Sequence, residues 1–366
     1  MTQPDRYIDL SSALEARFED ILAVARTAPG EDPSPRKAPA VTVGRSREGR
    51  PIQTHRFGQG TTRVSLLAGC HADEPVGPRL LGCLAEYLAR LEPDDPLLTE
   101  IDWWIVPHIN PDGAVRNAPW QHPGAMEYRL SEYLPGRMRE LPGDDIEFGF
   151  PRDWGDEVRP EPSAVARWWA TSLRPFDLHI TLHGMSFAAG PWFLIEPAWV
   201  DRCAGLMDRC SARTAELGYT LHDVERRGEK GFNRIRPGFA TRPDSRAMRE
   251  YFVQRGDQDT AARFRPSSME HVRRAGGDPL TLVSEMPLFV LPGVGEELGP
   301  PDPRLEAWRT DLEEWTTRLA TGAAPEHIED EARAAGLFAM PVIDQMRLQW
   351  ALVSAAIATV TATSSG

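Results

Sequence analysis

The stretch from Val64 to Leu91 joins three local patterns that few folds accommodate together. A short apolar run, Val64 to Leu67, leads into the small residues Ala68, Gly69 and Cys70, and an apolar helical pattern follows from Pro75 to Leu91. A strand, a tight turn and a helix in direct succession open a βα unit. A chain built on such units buries its strands in an at least partly parallel sheet with helices on both faces. The turn carries His71, Asp73 and Glu74. It therefore sets an imidazole and a carboxylate three positions apart at the carboxyl end of a strand, where open α/β sheets keep their ligand crevices and where an N and an O donor suit a metal. A bare His-x-x-Glu is common by chance, so the remainder of the chain must strengthen the case.

Helical periodicity marks residues 8 to 27 through Ile8, Leu10, Leu14, Phe18, Ile21, Leu22 and Val24, and a Pro-rich connector follows from Ala28 to Pro39. Val41 to Phe57 reads as a hairpin with Gly49-Arg50-Pro51 near its turn. Further strands are expected at Ile101 to Pro107, Phe176 to His183 and Leu280 to Glu285. Helices are expected at 162 to 173, Val200 to Leu217, Leu305 to Leu319, Glu329 to Leu337 and Val342 to Ala358. The segment Arg226 to Arg274 is arginine-rich and poor in strand signal. It reads as long solvated loops with a helix around Met248 to Val253, and the alternative is a lid over an acidic substrate. The expected architecture is a mixed, partly parallel α/β sheet with helices on both faces and helical N- and C-terminal extensions. Its expected divisions are 1–39, a catalytic domain at 40–320, and a helical extension at 321–366.

With 41% hydrophobic and 26% charged residues the chain has ordinary globular usage. A net charge of -13 disfavours nucleic-acid and anionic-membrane partners, since both need a cationic face. The four cysteines (Cys70, Cys83, Cys203 and Cys210) form no Cys-x-x-Cys pair, and they read as buried thiols. The N-terminal residues show no apolar signal core, and no apolar stretch approaches the roughly 20 residues of a bilayer span. The expectation is a soluble, cytoplasmic protein.

Three more segments carry candidate chemistry. Asn110-Pro-Asp-Gly113 joins a strand to a loop with two turn dipeptides, which by themselves imply only a rigid turn. Asp177-Leu-His179-Ile-Thr-Leu-His183-Gly184 ends a strand on a histidine. Strand positions four apart lie about 13 Å apart, so His179 and His183 cannot share a metal; His183 is the candidate ligand and His179 a core histidine. Glu285 ends the apolar run from Leu280, and such an acid is either a solvated terminus or, beside a metal, a general base.

Taken together, His71-x-x-Glu74, Asn110-Pro-Asp-Gly113, the strand ending at His183 and the strand-end Glu285 resemble the M14 zinc carboxypeptidase family, in that family's order. Ser46-Arg-Glu-Gly-Arg-Pro-Ile52 is similar to its entry hairpin, and the resemblance spans roughly residues 40 to 320. It implies one zinc ion held by His71, Glu74 and His183, with Glu285 as base and a peptide or small amide as substrate. Two imidazoles and a carboxylate leave a fourth zinc position open, as in hydrolytic sites. Asp73 and Asp177 are candidates for holding a ligand imidazole.

The resemblance also implies an oxyanion-stabilising arginine after Asn110-Pro-Asp-Gly113. Arg116, Arg129, Arg137 and Arg139 are available there, and register favours Arg139, with Arg137 next. The family's carboxylate-clamping Asn-Arg pair is replaced by Glu147-Phe148 in Asp145-Ile-Glu147-Phe148-Gly149-Phe150-Pro151. An anion and a ring there would repel a carboxylate, so Glu147 is expected to face a cationic or amide group of the substrate. The alternative is a clamp moved to Arg152 or the arginine-rich segment. Tyr251 and His271 are candidates for the family's tyrosine, and Trp192 for the pocket wall. The leading reading is a zinc hydrolase of a peptide or related amide. One alternative is an acyl-amino-acid deacylase resembling succinylglutamate desuccinylase and aspartoacylase. The other is a non-catalytic binding protein on the same fold.

Overall fold

The structure, a computed structural model, describes residues 3–26, 38–153, 157–291 and 303–363. Ten strands form the sheet: β1 (Val41–Arg45), β2 (Pro51–Phe57), β3 (Thr62–Ala68), β4 (Ile101–Val106), β5 (Leu178–Ala188), β6 (Trp192–Ile195), β7 (Arg234–Arg236), β8 (Phe239–Thr241), β9 (Leu280–Val290) and β10 (Phe338–Ala339). Their order is β1-β2-β4-β3-β5-β9-β6-β8-β7, with β10 paired to β9. Neighbours β4, β3, β5 and β9 run parallel, and antiparallel pairs flank them on both sides. The sheet is thus mixed, as expected from the alternating strand and helix patterns.

The central strands are buried on both faces, and their side chains alternate between two cores. Val64, Leu66, Trp103 and Ile105 face the larger core with the helices Val76–Leu88 and Val342–Thr363. Leu67, Trp104 and Val106 face the smaller one with Val165, Ala166 and Trp169 of the helix Pro160–Trp169. The chain leaves β3 through the helix Val76–Leu88 to β4 on one side, and β5 joins β3 on the other. Strand order reverses between β3 and β5, which makes the carboxyl ends of these two strands the topological switch point and the place for a ligand crevice.

Several expectations need adjusting. The periodicity over 8 to 27 resolves into two helices, Gln3–Ala16 and Phe18–Arg26, and the connector to Lys37 lies outside the described residues. Strands β5 and β9 continue past His183 and Glu285 to Ala188 and Val290, so both residues sit within strands and not at their ends. The arginine-rich segment holds β7, β8 and the helices Ser245–Gln254, Gln258–Arg263 and Ser268–Arg274. The last of these begins in a capping box of Ser267 and Glu270, a signal present in the sequence as Ser-x-x-Glu. No helix among the described residues is long and apolar enough to cross a membrane.

Two contacts fix the carboxyl-end geometry of β5 around His183. The buried Gln349 of the helix Val342–Thr363 donates through Nε2 to the His183 carbonyl at 3.2 Å and to Ser284 Oγ at 3.3 Å. Gly77, in the first turn after Glu74, lets the helix Val76–Leu88 approach β5: a Cβ there would lie 2.6 Å from the Leu182 carbonyl oxygen and 2.8 Å from its Cβ. Gly77→Ala must therefore push the helix off the strand. It is expected to lower stability by about 1–3 kcal/mol, read from the midpoint of chemical denaturation; an unchanged midpoint would show the approach to be unnecessary.

Candidate metal centre and its surroundings

The loop from Gly69 to Glu74 turns sharply at Gly69, whose φ of +74° is costly for any side chain. It brings His71 over the end of β3 while His183 rises from β5. Glu74 lies between them. Its Oε1 is 2.7 Å from His71 Nδ1 and its Oε2 2.9 Å from His183 Nδ1, and the two Nδ1 atoms are 3.2 Å apart. The rings meet edge to face, with centroids 4.8 Å apart. Donor atoms of His71, Glu74 and His183 all fall within 4.8 Å of one another. Two imidazole nitrogens and a carboxylate converging on one point fit a zinc ion, which takes such donors at about 2.0–2.2 Å.

A second donor set, Cys70, Glu147 and His183, shares the far side of the His183 ring. It is a poorer metal site. Burial pushes the Cys70 thiol well up, with the Glu147 charge adding, so the thiolate that metals require is disfavoured. All three of its residues are also buried. Glu147 Oε2 instead faces His183 Nε2 at 3.3 Å, and its Oε1 accepts from Ser268 Oγ at 2.9 Å. With Nδ1 turned to the donor cluster, Nε2 is free to donate to Glu147. Such an arrangement fixes the ring and its tautomer. Glu147, expected from the sequence to face a substrate group, lines the cavity that also holds Glu285, with one oxygen toward His183 and the other accepting from Ser268.

The charges around the cluster split the carboxylates. Burial opposes ionisation of Glu74, but the charges of His71 and His183 and their hydrogen bonds outweigh it and hold the carboxyl well below the usual range. Glu147 is lowered in the same way against its burial, chiefly by His183. His183 is raised well above the ordinary imidazole value despite burial, by Glu74 first and then by hydrogen bonds to its neighbours. Glu285 goes the other way. Burial first, then the Glu74 charge, push it up to about 7. It sits on β9 directly beside His183 in the parallel register, and it lines a cavity of about 280 Å³ together with His71, His183 and Arg139.

Arg139 approaches Glu74 at 3.4 Å and Asp73 at 3.6 Å. It is anchored through its neighbour Glu140, which accepts from Asn110 Nδ2 at 2.5 Å and the Ala72 amide at 3.3 Å. Asn110 also caps the helix Pro111–Asn117 by accepting from the Gly113 amide, and Asp112 accepts from Ser46 and Arg50 of the β1–β2 turn. Asn110-Pro-Asp-Gly113 is thus a scaffold that sets Arg139 beside the cluster. Arg137 differs: its Nε donates to Asp73 at 2.6 Å, and it does not line the cavity. A substrate role for Arg137 finds no geometric support.

Other candidates fall elsewhere. Asp73 pairs with Arg137 and not with an imidazole, and Asp177 accepts from the Arg63 amide near the opposite end of β5. His271 lines a different cavity with Trp169, and Tyr251 stacks with Arg255 and Lys230. His179 is a core residue: its ring nitrogens lie 3.0 Å from Ser65 Oγ and 3.1 Å from Ser268 Oγ. Ser268, Glu140 and Gln349 escaped the sequence reading, because nothing local marks a serine, a glutamate or a glutamine as a buried support.

Comparison with known proteins bears on this geometry. Residues 31–192 match the zinc carboxypeptidase family, peptidase M14. Carboxypeptidase D of Drosophila melanogaster is 27% identical over 206 residues, which is 48% of this chain but only 13% of that protein. Among solved structures, a metallo-carboxypeptidase from Burkholderia cenocepacia is 15% identical, with 95% of this chain and 69% of that one covered at a TM-score of 0.47. A metallo-carboxypeptidase from Pseudomonas aeruginosa is 17% identical, with 95% and 68% covered at a TM-score of 0.46.

Two outcomes follow from the geometry. Glu147→Ala removes the group facing His183 Nε2 and is expected to weaken zinc binding about 10- to 100-fold, measured by competition with a chromophoric chelator; unchanged affinity would deny Glu147 that role. The second concerns His179, whose burial pushes it down to about 3, against about 6.5 in an unfolded chain. Between those values the unfolded state carries a proton that the native state refuses, so stability present above pH 6.5 is lost as pH falls. His179→Gln should flatten this loss by roughly 1 kcal/mol per pH unit between pH 6 and 4.5, read from denaturation midpoints against pH. An equal slope in both proteins would contradict it.

Proposed function

We propose, from the match of residues 31–192 to the zinc carboxypeptidase family, that the protein is a zinc-dependent hydrolase of a peptide or related amide bond. The observation that carries this reading is the convergence of His71, Glu74 and His183 with Glu285 facing the same cavity from the adjacent strand. One zinc ion would be held by His71, Glu74 and His183. When bound, zinc supplies Lewis-acid polarisation of a carbonyl and acidifies water to a pKa of about 7.

The chain's own groups divide the remaining work. Glu285, raised to about 7 by burial and by Glu74, is suited to take a proton from the attacking water and return it to the departing nitrogen, since a general base works best near the operating pH. Arg139 lines the same cavity and would stabilise negative charge developing on the carbonyl oxygen; burial acts to lower it, but Glu74, Asp73 and Glu285 keep it firmly protonated. Glu147 and Gln349 hold His183 in place, one at the ring and one at the backbone. All four cysteines are buried and unpaired, which supports the cytoplasmic placement within this proposal.

Glu285→Gln tests the reading. Loss of the base is expected to cut hydrolysis of N-acyl dipeptides about 10²- to 10⁴-fold while one zinc per chain is retained. Full activity in this variant would remove Glu285 from the chemistry, and absence of zinc from the wild-type protein would remove the metal.

A further inference from the structure

A second cavity, of about 410 Å³ and so larger than the one at Glu285, lies at the other end of β5, where Pro175 and Phe176 lead into the strand. His183 is five positions beyond Leu178, about 17 Å away. The lining is partly apolar, with Trp169, Phe176 and Val272 buried and Leu173 97% exposed. Three arginines, Arg152, Arg174 and Arg274, also line it, against one acid, Asp153, among the described residues. Arg174 donates to the carbonyls of Gly60 and Thr61, each at 3.3 Å, and Arg274 to that of Arg152 at 2.9 Å. These acceptors are neutral, and neither of the two guanidinium groups meets a carboxylate among the described residues. Trp169 is only 4% exposed, yet its Nε1 has no hydrogen-bond partner among the described residues. A buried donor without an acceptor is costly, and an occupant carrying an acceptor would satisfy it.

Two elements join this cavity to the metal cluster. The helix Ser268–Arg274 lines it with His271, Val272 and Arg274. At the other end of that helix, the Ser268 amide and Oγ donate to Glu147 Oε1 at 3.3 and 2.9 Å, and Glu147 faces His183 Nε2. Trp169 supplies the second link. Its ring meets the His179 ring edge to face at 5.2 Å, and His179 Nε2 lies 3.1 Å from the same Ser268 Oγ. Both links therefore end on Ser268. His271 Nδ1 donates to the Pro151 carbonyl at 3.3 Å, so the loop at Pro151 and Arg152 that lines the cavity is tied to the same helix.

We propose that this second cavity binds a small aromatic carboxylate, and that its occupancy tightens zinc binding through Ser268. The coupling rests on the zinc centre of the hydrolase reading above; the cavity does not. Guanidinium groups match the two oxygens of a carboxylate, the apolar lining takes a ring, and the volume falls in the range of small-molecule sites. A free phosphate would meet the arginines and leave the apolar lining uncovered. Arg174 precedes β5 and Arg274 ends the helix, so a carboxylate held by both ties the helix to the start of the strand. Arg274 can do so while keeping the Arg152 carbonyl, since a guanidinium carries five N–H donors. A helix held in this way keeps Ser268 on Glu147, and the order that one ligand imposes need not be imposed again by the other.

The probe is 2-naphthoate, with neutral 2-naphthamide and inorganic phosphate as comparisons, titrated calorimetrically into the full chain with and without zinc. Naphthoate should bind about 10-fold or more tightly than either comparison. Arg174→Met and Arg274→Met should each weaken it about 10-fold. Ala170→Trp, at an exposed lining position, should block it by filling the cavity. Zinc affinity, read by chelator competition, should rise about 5- to 10-fold at saturating naphthoate, and zinc should tighten naphthoate by the same factor. Ser268→Ala should leave naphthoate binding to zinc-free protein intact and abolish both effects. Naphthoate that binds only the zinc-loaded protein and ignores the arginine variants sits on the metal and overturns the site, as does failure to bind at all. Binding at the cavity with unchanged zinc affinity overturns the coupling. Arginine-sensitive binding in a protein that takes up no zinc keeps the site and overturns the hydrolase reading.

Discussion

The Glu74 carboxylate facing two imidazoles, one from the loop after β3 and one from β5, is the contact on which the rest of the site depends. His71 comes from the loop after β3 and His183 from β5, and only the strand order β4-β3-β5 brings them to the same crevice. Once Glu74 lies between them, the helix that starts two residues later must pack directly on β5. Gly77 permits that packing. From beneath, Gln349 ties the His183 backbone to the long C-terminal helix, so a residue far along the chain fixes the angle of a donor.

Concentrating three carboxylates and two imidazoles in one buried volume also sorts them by charge. Glu74 and Glu147 each face an imidazole and stay ionised, whereas Glu285 has Glu74 as a neighbour and resists ionisation. Paired groups whose surroundings push their titrations apart are suited to different roles in acid–base chemistry. Arg139 stabilises the excess negative charge from the open side of the cluster. The same logic explains the partners of Glu147. A buried carboxylate needs partners, and His183 Nε2 and Ser268 are within reach.

Much of this was legible in the sequence where polarity broke an apolar run. His183 and Glu285 stand out in strands that are otherwise hydrophobic, and His71 and Glu74 follow a strand within a glycine-marked turn. Asn110-Pro-Asp-Gly113 was readable as a turn, although its hold on Arg139 through Glu140 was not. The partners of Glu147 come from β5 and the helix Ser268–Arg274, 36 and 121 residues away, and no local pattern encodes such distances. Strand β6 was missed because four apolar residues, Trp192 to Ile195, are too few to show a period. The arginine-rich segment resisted reading for a different reason: its short strands and helices are specified by contacts such as β8 with β6 and by caps such as Ser267, and only weakly by periodicity.

X-ray absorption spectroscopy of the zinc-loaded protein tests the central assignment most directly, because the two donor sets that share His183 differ in one atom type. Zinc held by His71, Glu74 and His183 gives a first shell of nitrogen and oxygen alone, at about 2.0–2.2 Å. A sulfur scatterer at about 2.3 Å would put the metal on Cys70 and Glu147, on the far side of the His183 ring, and would contradict the assignment of Glu74 as the carboxylate that organises the site.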